Sequence, residues 1–451
     1  MKIVVYTLGC KVNQYESESI MCMLEKMGHT VYSHLEVADV YIINTCAVTN
    51  EAEKKSRQTI AKCKALNKDA KILICGCASE KNAKQFEDIA GVTFVKGVAN
   101  KLELLNMLNT NGVKIDPNPL EYDDTYVANP TKTRAYIKIQ DGCNNFCSYC
   151  IIPYLRGRSR SRNIVSVLNE VDKLSKVVKE IILTGIDVSD YKIDGEKALP
   201  LLIEKLEPYQ NIRFRLSSLE QGIANQKLID ACKKVNMCPH FHLSLQSGCD
   251  SVLKRMNRKY LTRDYIKTVK LIRKNFDNPN ISTDIIVGFP GETDKEFKKT
   301  YNFAKKVNFA NIHIFPYSQR SGTVAEKMPQ VDGKIKKERV KKLEKLNEKL
   351  NKNYIKSNKN RILTVLVEEK DGDYFVGHTE NYIKCYIPQT VQIDSFVQVK
   401  IVTPYKDGAI AKIINAMWYR FNNVDNDVAI ILIKQSLFNF LPKNLLWNFT
   451  L

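Results

Sequence analysis

The sequence predicts an α/β chain in three parts: an N-terminal parallel α/β domain, a partial barrel of six β/α units, and a small C-terminal antiparallel β-barrel. Three observations predict it. Over residues 1–120 short β-rich runs alternate with helical patterns, and from residue 134 the alternation resumes on a larger scale, six times over. After about residue 361 the helical patterns stop, and alternating strands with Gly and Pro turns take over.

The elements follow in order. KIVVYT, DVYIINT, KILICG and VTFVKG are β-branched runs, separated by a helical pattern over 15–27 and another from Asn50. Strands joined by crossover helices form a parallel sheet, which binds ligands at the C-terminal ends of its strands. Residues 122–133 are polar, contain Pro130 and lack periodicity, as a linker does. AYIKIQ, EIILTG, IRFRLSS, FHLSLQ, TDIIVG and IHIFPYS are the six barrel strands, with helices between them, for example over 164–178 and 294–307. A basic helix from Gly333 to about Arg361 spaces Val340, Leu343, Leu346, Leu350 and Tyr354 three or four apart, a core-facing stripe. RILTVLVEE, YFVGHTENYIKCYIP and FVQVKIVTPY make the final barrel. The expected domains are 1–121, 133–356 and 357–417, followed by an apolar, aromatic tail over 418–451 to which no role is assigned.

Composition narrows the function. A chain of 451 residues folds without disulfide staples, and its 13 cysteines, odd in number and clustered, read as metal ligands in a reducing compartment. A cytoplasmic protein with no membrane partner is expected. The longest apolar runs, IILTGI and VAIILI, have strand length, and MKIVVYTLGC is too short for a signal segment. The net charge of +20 suits a protein that handles nucleic acid, although lysine-rich composition alone produces such an excess.

The chemistry lies in DGCNNFCSYC. Cys143, Cys147 and Cys150 form a C-x3-C-x2-C loop after the first barrel strand, offering three thiolates and no fourth ligand, so that a cubic iron-sulfur cluster held there keeps one iron open to substrate. A redox dithiol or half a zinc site at Cys147 and Cys150 are the other readings; no nearby His or second C-x-x-C completes a zinc site. Cys10, Cys46 and Cys77 each follow a strand of the first sheet and converge on one rim, as a second thiolate triad or as small buried hydrophobes. Packing suits Cys22, Cys63, Cys75, Cys232 and Cys385. Gly185, Gln246 and Asp284, at or near barrel strand ends, are candidate cofactor or substrate contacts. Arg156, Arg158, Arg160 and Arg162 alternate, and on an extended segment they share one side, suited to phosphate or carboxylate.

The runs TLGCKVNQYESE, INTCAVTNEAEKKSRQ, ICGCASE, DGCNNFCSYCIIPYLRGRSRSR, HLSLQSGCDSVLKRMNRKY, DIIVGFPGETD and FPYSQRSGT resemble, in order and spacing, the radical S-adenosylmethionine (SAM) methylthiotransferases over roughly residues 1–417. The first run is most similar to the branch acting on N6-threonylcarbamoyladenosine in tRNA. The isopentenyladenosine branch usually has Gln-Met-Asn where Lys11, Val12 and Asn13 stand, and the ribosomal-protein branch has another run again. The resemblance implies a TIM-like radical SAM barrel and a C-terminal TRAM domain that binds RNA. It implies a 4Fe-4S cluster on Cys143, Cys147 and Cys150 whose open iron takes SAM, cleaved by one electron to methionine and a 5′-deoxyadenosyl radical. It also implies a second 4Fe-4S cluster on Cys10, Cys46 and Cys77, two SAM per turnover, and Tyr149 beside the SAM adenine. The implied partners are the tRNA anticodon stem-loop, an external one-electron donor and a sulfur source. A non-catalytic RNA-binding iron-sulfur protein is the expectation of another class.

Overall fold

The computed structural model describes residues 1–415 and divides into two compact units: residues 1–358 together with 380–383, and residues 359–379 together with 384 onward. The predicted 418–451 tail lies outside the described residues.

The first unit opens with β1 (Lys2–Thr7), α1 (Lys11–Lys26), β2 (Thr30–Tyr32), β3 (Val40–Thr45), α2 (Asn50–Leu66), β4 (Lys71–Gly76), α3 (Cys77–Lys81), α4 (Ala83–Glu87), β5 (Val92–Lys96) and β6 (Gly112–Lys114). Its strands form one parallel sheet in the order β2-β1-β3-β4-β5-β6. Strand alternation sends Ile3, Val5, Val40, Ile42 and Leu73 to one face, with Ile20 and Leu24 of α1. It sends Val4, Tyr41, Ile43, Ile72 and Ile74 to the other, with Ile60 and Cys63 of α2. Each fully buried aliphatic side chain contributes about 1.5–3 kcal/mol. The short β2 and β6 carry too few apolar residues to stand out in the sequence.

The second sheet system holds all six predicted strands: β7 (Arg134–Asp141), β9 (Glu180–Gly185), β12 (Arg213–Leu216), β13 (His240–His242), β14 (Asn280–Val287) and β15 (Asn311–Pro316). Between them lie α5 (Ile152–Arg156), β8 (Arg160–Ser161), α6 (Ile164–Leu174), the hairpin β10 (Lys192–Ile193) and β11 (Glu196–Lys197), α7 (Leu199–Glu204), α8 (Gln226–Lys234), α9 (Asp250–Arg255), α10 (Thr262–Asn275) and α11 (Asp294–Val307). β12-β9-β7 and β13-β14-β15 are parallel ladders, joined by bridges Phe214↔Met237 and Leu219↔Leu243, while β8 runs antiparallel along β7. The curved sheet is an open six-stranded barrel, its core including Ile137, Ile181, Phe214, Phe241 and Ile285. α12 (Gly333–Ser357) adds Leu343, Leu346 and Leu350 to that core, as its spacing predicts. It ends near Asn358, short of residue 361.

The linker is tied down. Tyr122 donates to the Lys138 carbonyl (2.6 Å) and the Val127 amide to Glu170 (2.7 Å), whereas Tyr15 of α1 donates to the Thr125 carbonyl (2.6 Å) and Thr131 to Glu18 of α1 (2.8 Å). Polarity marked it as coil, but four bonds secure it.

The second unit is a closed barrel, β16 (Ile362–Asp371), β17 (Tyr374–Thr379), β18 (Lys384–Ile387), β19 (Phe396–Tyr405) and β20 (Gly408–Asn415), in the order β16-β17-β18-β20-β19. The run YFVGHTENYIKCYIP divides into β17 and β18. All pairs are antiparallel except β18–β20, which closes the barrel through Cys385↔Ala409 and Tyr386↔Ile410. Tyr374, Tyr386 and Tyr405 pack with centroids 5.1–5.9 Å apart, and Lys384 and Lys406 lie over Tyr386 at 5.2 Å.

Buried ion pairs make the first unit acid-sensitive. Burial opposes ionisation of Glu16, Asp141 and Glu180, but Arg156 with Lys101 for the first, Arg156 with Lys138 for the second, and Arg215 with Arg213 for the third outweigh it and hold all three carboxyls low, Asp141 at about 2. A carboxyl whose folded pKa is depressed stabilises fully above its unfolded value, about 4, and that stabilisation is lost as pH falls toward the folded value. Burial raises Glu18, Glu80, Asp123, Glu170, Glu292 and, to about 6, Asp187; these oppose the trend, but of the six only Asp187 shifts far. Apo-protein is therefore expected to melt about 5 °C or more lower at pH 3.5 than at pH 6; an equal Tm at both would show these pairs to be unimportant.

Candidate functional site

Three thiols meet at the C-terminal edge of the first sheet. Cys10 follows β1 and caps α1, Cys46 follows β3, and Cys77 opens α3 directly after β4. Two glycines permit this. Gly9 has φ +106°, and a Cβ there would lie 2.8 Å from Cys46 Cβ; Gly76, also at +106°, would place one 2.4 Å from the Thr45 carbonyl oxygen. Cys10 is exposed at the edge while Cys46 and Cys77 are buried, and each of the three lies within electrostatic reach of the others. Cys75 points into the core from within β4, and Cys22, Cys63, Cys232 and Cys385 are likewise buried.

The second triad sits on the loop after β7. Gly142 (φ +69°) and Phe146 (φ +47°) turn the chain, and the loop is pinned at several points. The Cys143 amide donates to the Gly157 carbonyl (3.1 Å), the Ser148 amide to that of Met256 (3.1 Å), and Asn257 Nδ2 to that of Phe146 (2.9 Å). Burial pushes the Cys143 and Cys150 thiols up to about 12 and that of Cys46 up to about 11. Such thiols ionise only when a strong positive centre compensates them. Arg258 supplies part of that charge, donating from Nη1 to Cys147 Sγ (3.2 Å).

Among the described residues, no three His, Cys, Asp or Glu side chains are drawn tightly enough to share one ion. A tetrahedral zinc with bonds of about 2.3 Å needs sulfurs roughly 3.8 Å apart. A cubane carries its ligating sulfurs on separate iron corners, and three thiols on one pinned loop with a guanidinium donor beside them suit such a cluster.

The two triads face one another. Cys150 feels the charge of Cys77, and between them Arg156, fully buried, bonds to residues from both sheets. Arg156 Nη1 donates to Glu16 (2.9 Å) and Asp141 (3.0 Å), Nη2 to Asn13 (2.8 Å), and Nε to Cys77 Sγ (3.4 Å). Lys101 and Lys138 complete the pairing of Glu16. Farther along, Arg320 joins Val48 and Glu53 beside Cys46.

The arginine series departs from the sequence reading. Pro153 lies in the first turn of α5, which ends at Arg156, and Gly157 (φ +72°) reverses the chain, so the four side chains do not share one side. Arg156 and Arg162 are buried in ion pairs, Arg160 bonds the Arg156 and Arg158 carbonyls, and Arg158 stacks on Phe146 at 4.5 Å.

A cavity of about 420 Å³ opens beside the loop, lined in part by Asn145, Cys147, Asp187, Glu220, Arg258 and Tyr260. This volume suits a small organic cofactor. Burial, Glu220 and Asp190 raise the Asp187 carboxyl to about 6, its Oδ2 accepting from Asn145 (2.9 Å). Tyr149, Gly185, Gln246 and Asp284 lie outside this lining. Tyr149 packs against a cluster that includes Met256, Phe289 and Tyr317; Gly185 lies against Gln140, where a Cβ would be 2.9 Å from two oxygens. Gln246 is left-handed (φ +67°) and bridges to Ile285; Asp284 pairs with His242 (3.0 Å). The sequence reading passed over Asp187 and Arg258. Asp187, two residues beyond the strand-ending Gly185, was within reach of the strand-end rule; Arg258, 111 residues from Cys147, was not.

A pinned triad of thiols after the first strand of an open six-stranded parallel barrel is the arrangement of a radical SAM enzyme, and residues 137–304 match the Radical SAM superfamily. Residues 2–97 match the family described as Uncharacterized protein family UPF0004. The chain is 37% identical over 438 residues to threonylcarbamoyladenosine tRNA methylthiotransferase MtaB of Bacillus subtilis (strain 168), covering 91% of this chain and 97% of the relative. It is 35% identical over 442 residues to tRNA-2-methylthio-N(6)-dimethylallyladenosine synthase of Alkaliphilus oremlandii (strain OhILAs), covering 89% and 90%. The chain belongs to the radical SAM tRNA methylthiotransferase family. It is an enzyme with tRNA as substrate, and membership implies a 4Fe-4S cluster and SAM. Among solved structures, the radical SAM methyltransferase TsrM from Kitasatospora setae, with cobalamin and a [4Fe-4S] cluster bound, shares the fold at TM-score 0.53 and 12% identity, covering 72% of this chain and 74% of that chain. Among the described residues no helix is long and apolar enough to cross a membrane.

Proposed function

We propose that this enzyme attaches a methylthio group to C2 of N6-threonylcarbamoyladenosine at position 37 of tRNA. Family relatives act on two modified adenosines by name, and these differ in charge: a threonylcarbamoyl group ends in a carboxylate, a dimethylallyl group in hydrocarbon. The observation that carries the choice is Lys11. It adjoins Cys10, keeps exposed area, and has no hydrogen-bond or ion-pair partner among the described residues. Protein around its ammonium, with Arg215 and Arg134, lowers its pKa to about 8. An unpaired cation among other cations favours an anionic substrate group.

In this reading residues 1–121 hold a second 4Fe-4S cluster through Cys10, Cys46 and Cys77, and residues 133–356 hold the first through Cys143, Cys147 and Cys150. When bound, the clusters and two SAM per turnover supply a radical and a transferable methylthio group, chemistry beyond side-chain acids and bases. Arg258 steadies Cys147, Asp187 offers a carboxylate to the SAM amino group, and Tyr149, Gly185, Gln246 and Asp284 contact SAM or the target base. Residues 357–417 hold the anticodon stem-loop, the tyrosine-lysine face suiting stacked bases and phosphates. An external one-electron donor and a sulfur source complete the cycle, in the cytoplasm.

Nucleoside mass spectrometry of tRNA from cells lacking the gene tests this. Restoring the wild-type gene is expected to restore methylthio-threonylcarbamoyladenosine; restored dimethylallyl product alone would refute the substrate. Lys11→Met, which loses one charge-assisted bond of about 1.5–3 kcal/mol, is expected to lower kcat/KM for the tRNA about tenfold or more with SAM cleavage preserved. Unchanged kcat/KM would remove Lys11 from substrate recognition.

A further inference from the structure

Arg156 reaches both thiol-bearing edges. On one side Nε donates to Cys77 Sγ at 3.4 Å; on the other Nη1 holds Asp141, whose Oδ1 accepts from the Gly142 amide (2.7 Å) immediately before Cys143. The guanidinium is wholly buried and every nitrogen is committed, with Glu16 and Asn13 taking the remaining donors. This array needs the planar fork of arginine; lysine offers a compact ammonium and no matching set of directions.

We propose that Arg156 is a positioning residue that sets the reduction potential of the auxiliary cluster through its bond to Cys77, while fixing that cysteine relative to the Cys143 loop. The proposal rests on the second-cluster reading. A reduced cluster carries one more negative charge, and N–H donors to a ligating sulfur stabilise that state, so the bond raises the potential. On the Cys143 loop Arg258 plays the corresponding part for Cys147, donating from Nη1 to its Sγ at 3.2 Å, so each thiol triad has its own guanidinium donor.

Arg156→Lys keeps a positive charge for Glu16 and Asp141 but removes the Nε donor. In anaerobic redox titration followed by electron paramagnetic resonance, the auxiliary cluster is expected to be reduced about tenfold less at a fixed poise, about 59 mV for one electron. The cluster on Cys143, Cys147 and Cys150 is expected to titrate unchanged. A variant with full iron and an unshifted auxiliary potential overturns the proposal. Because a buried arginine can be essential to folding, a chain that keeps Arg156 gives a second reading. With 15N-arginine incorporated, the reduced auxiliary cluster of Cys147→Ala protein is expected to show a 15N hyperfine coupling, and its absence overturns the proposal equally. If Cys77→Ala fails to lower the iron content, the second-cluster reading itself falls; if iron drops by about four per chain while Arg156→Lys shifts nothing, only the role of Arg156 falls.

Discussion

Cys147→Ala is expected to abolish 5′-deoxyadenosine formation from SAM, by more than about 100-fold, the upper range for disturbing even the groups that support a metal ligand. Cys147 is buried, its sulfur accepts from Arg258, and the flanking Ser148 is bonded to the Met256 and Arg255 carbonyls, so no rearrangement brings another thiol into place. Cys249, in the neighbouring core, lies against Ser251 and is packed among Val252, Met256 and Phe289. Loss of the ligand also strands Arg258 without its sulfur acceptor. Iron content after anaerobic purification is expected to fall from about eight to about four per chain. Retained cleavage activity would remove the loop triad from SAM chemistry.

Cys46→Ala should separate the two halves of the reaction. Cys46 is seated in the turn that Gly9 leaves open, away from the 420 Å³ cavity beside Cys147, so SAM cleavage is expected to persist at the order of the wild-type rate while sulfur insertion disappears. The measurement pairs chromatography of 5′-deoxyadenosine with mass spectrometry of tRNA nucleosides. A variant that still thiomethylated at the full rate would show that the first-sheet triad is not the sulfur source, and loss of both activities together would mean the triads act as one structural unit.

Strand order and cysteine placement were open to reading because both rest on short-range regularities. A run such as VYIINT, buried at every position, can only be an interior strand, and a cysteine just after it has only the sheet edge to occupy. The charged interior was closed to that approach. Glu16 and Arg156 lie 140 residues apart, and nothing in the helical pattern of KVNQYESE says that its glutamate faces a second sheet and not solvent. The alternation of arginines misled for a related reason: period two describes a side only on extended backbone, and Pro153 and Gly157 bend this stretch. Lys11 was visible as a letter that differs between branches, but its lack of a partner emerges only in three dimensions.

The stapled segment over 122–133 carries a kinetic implication. With Tyr122 and Val127 fastened to one sheet system and Thr125 and Thr131 to helix α1, this stretch cannot work as a swivel. The span between sulfur-bearing edges is thus settled during folding, before any RNA arrives. In the proposed reaction the motion then belongs to the substrate: the nucleotide leaves its stack, at a few kcal/mol, to reach the sulfur-bearing edges.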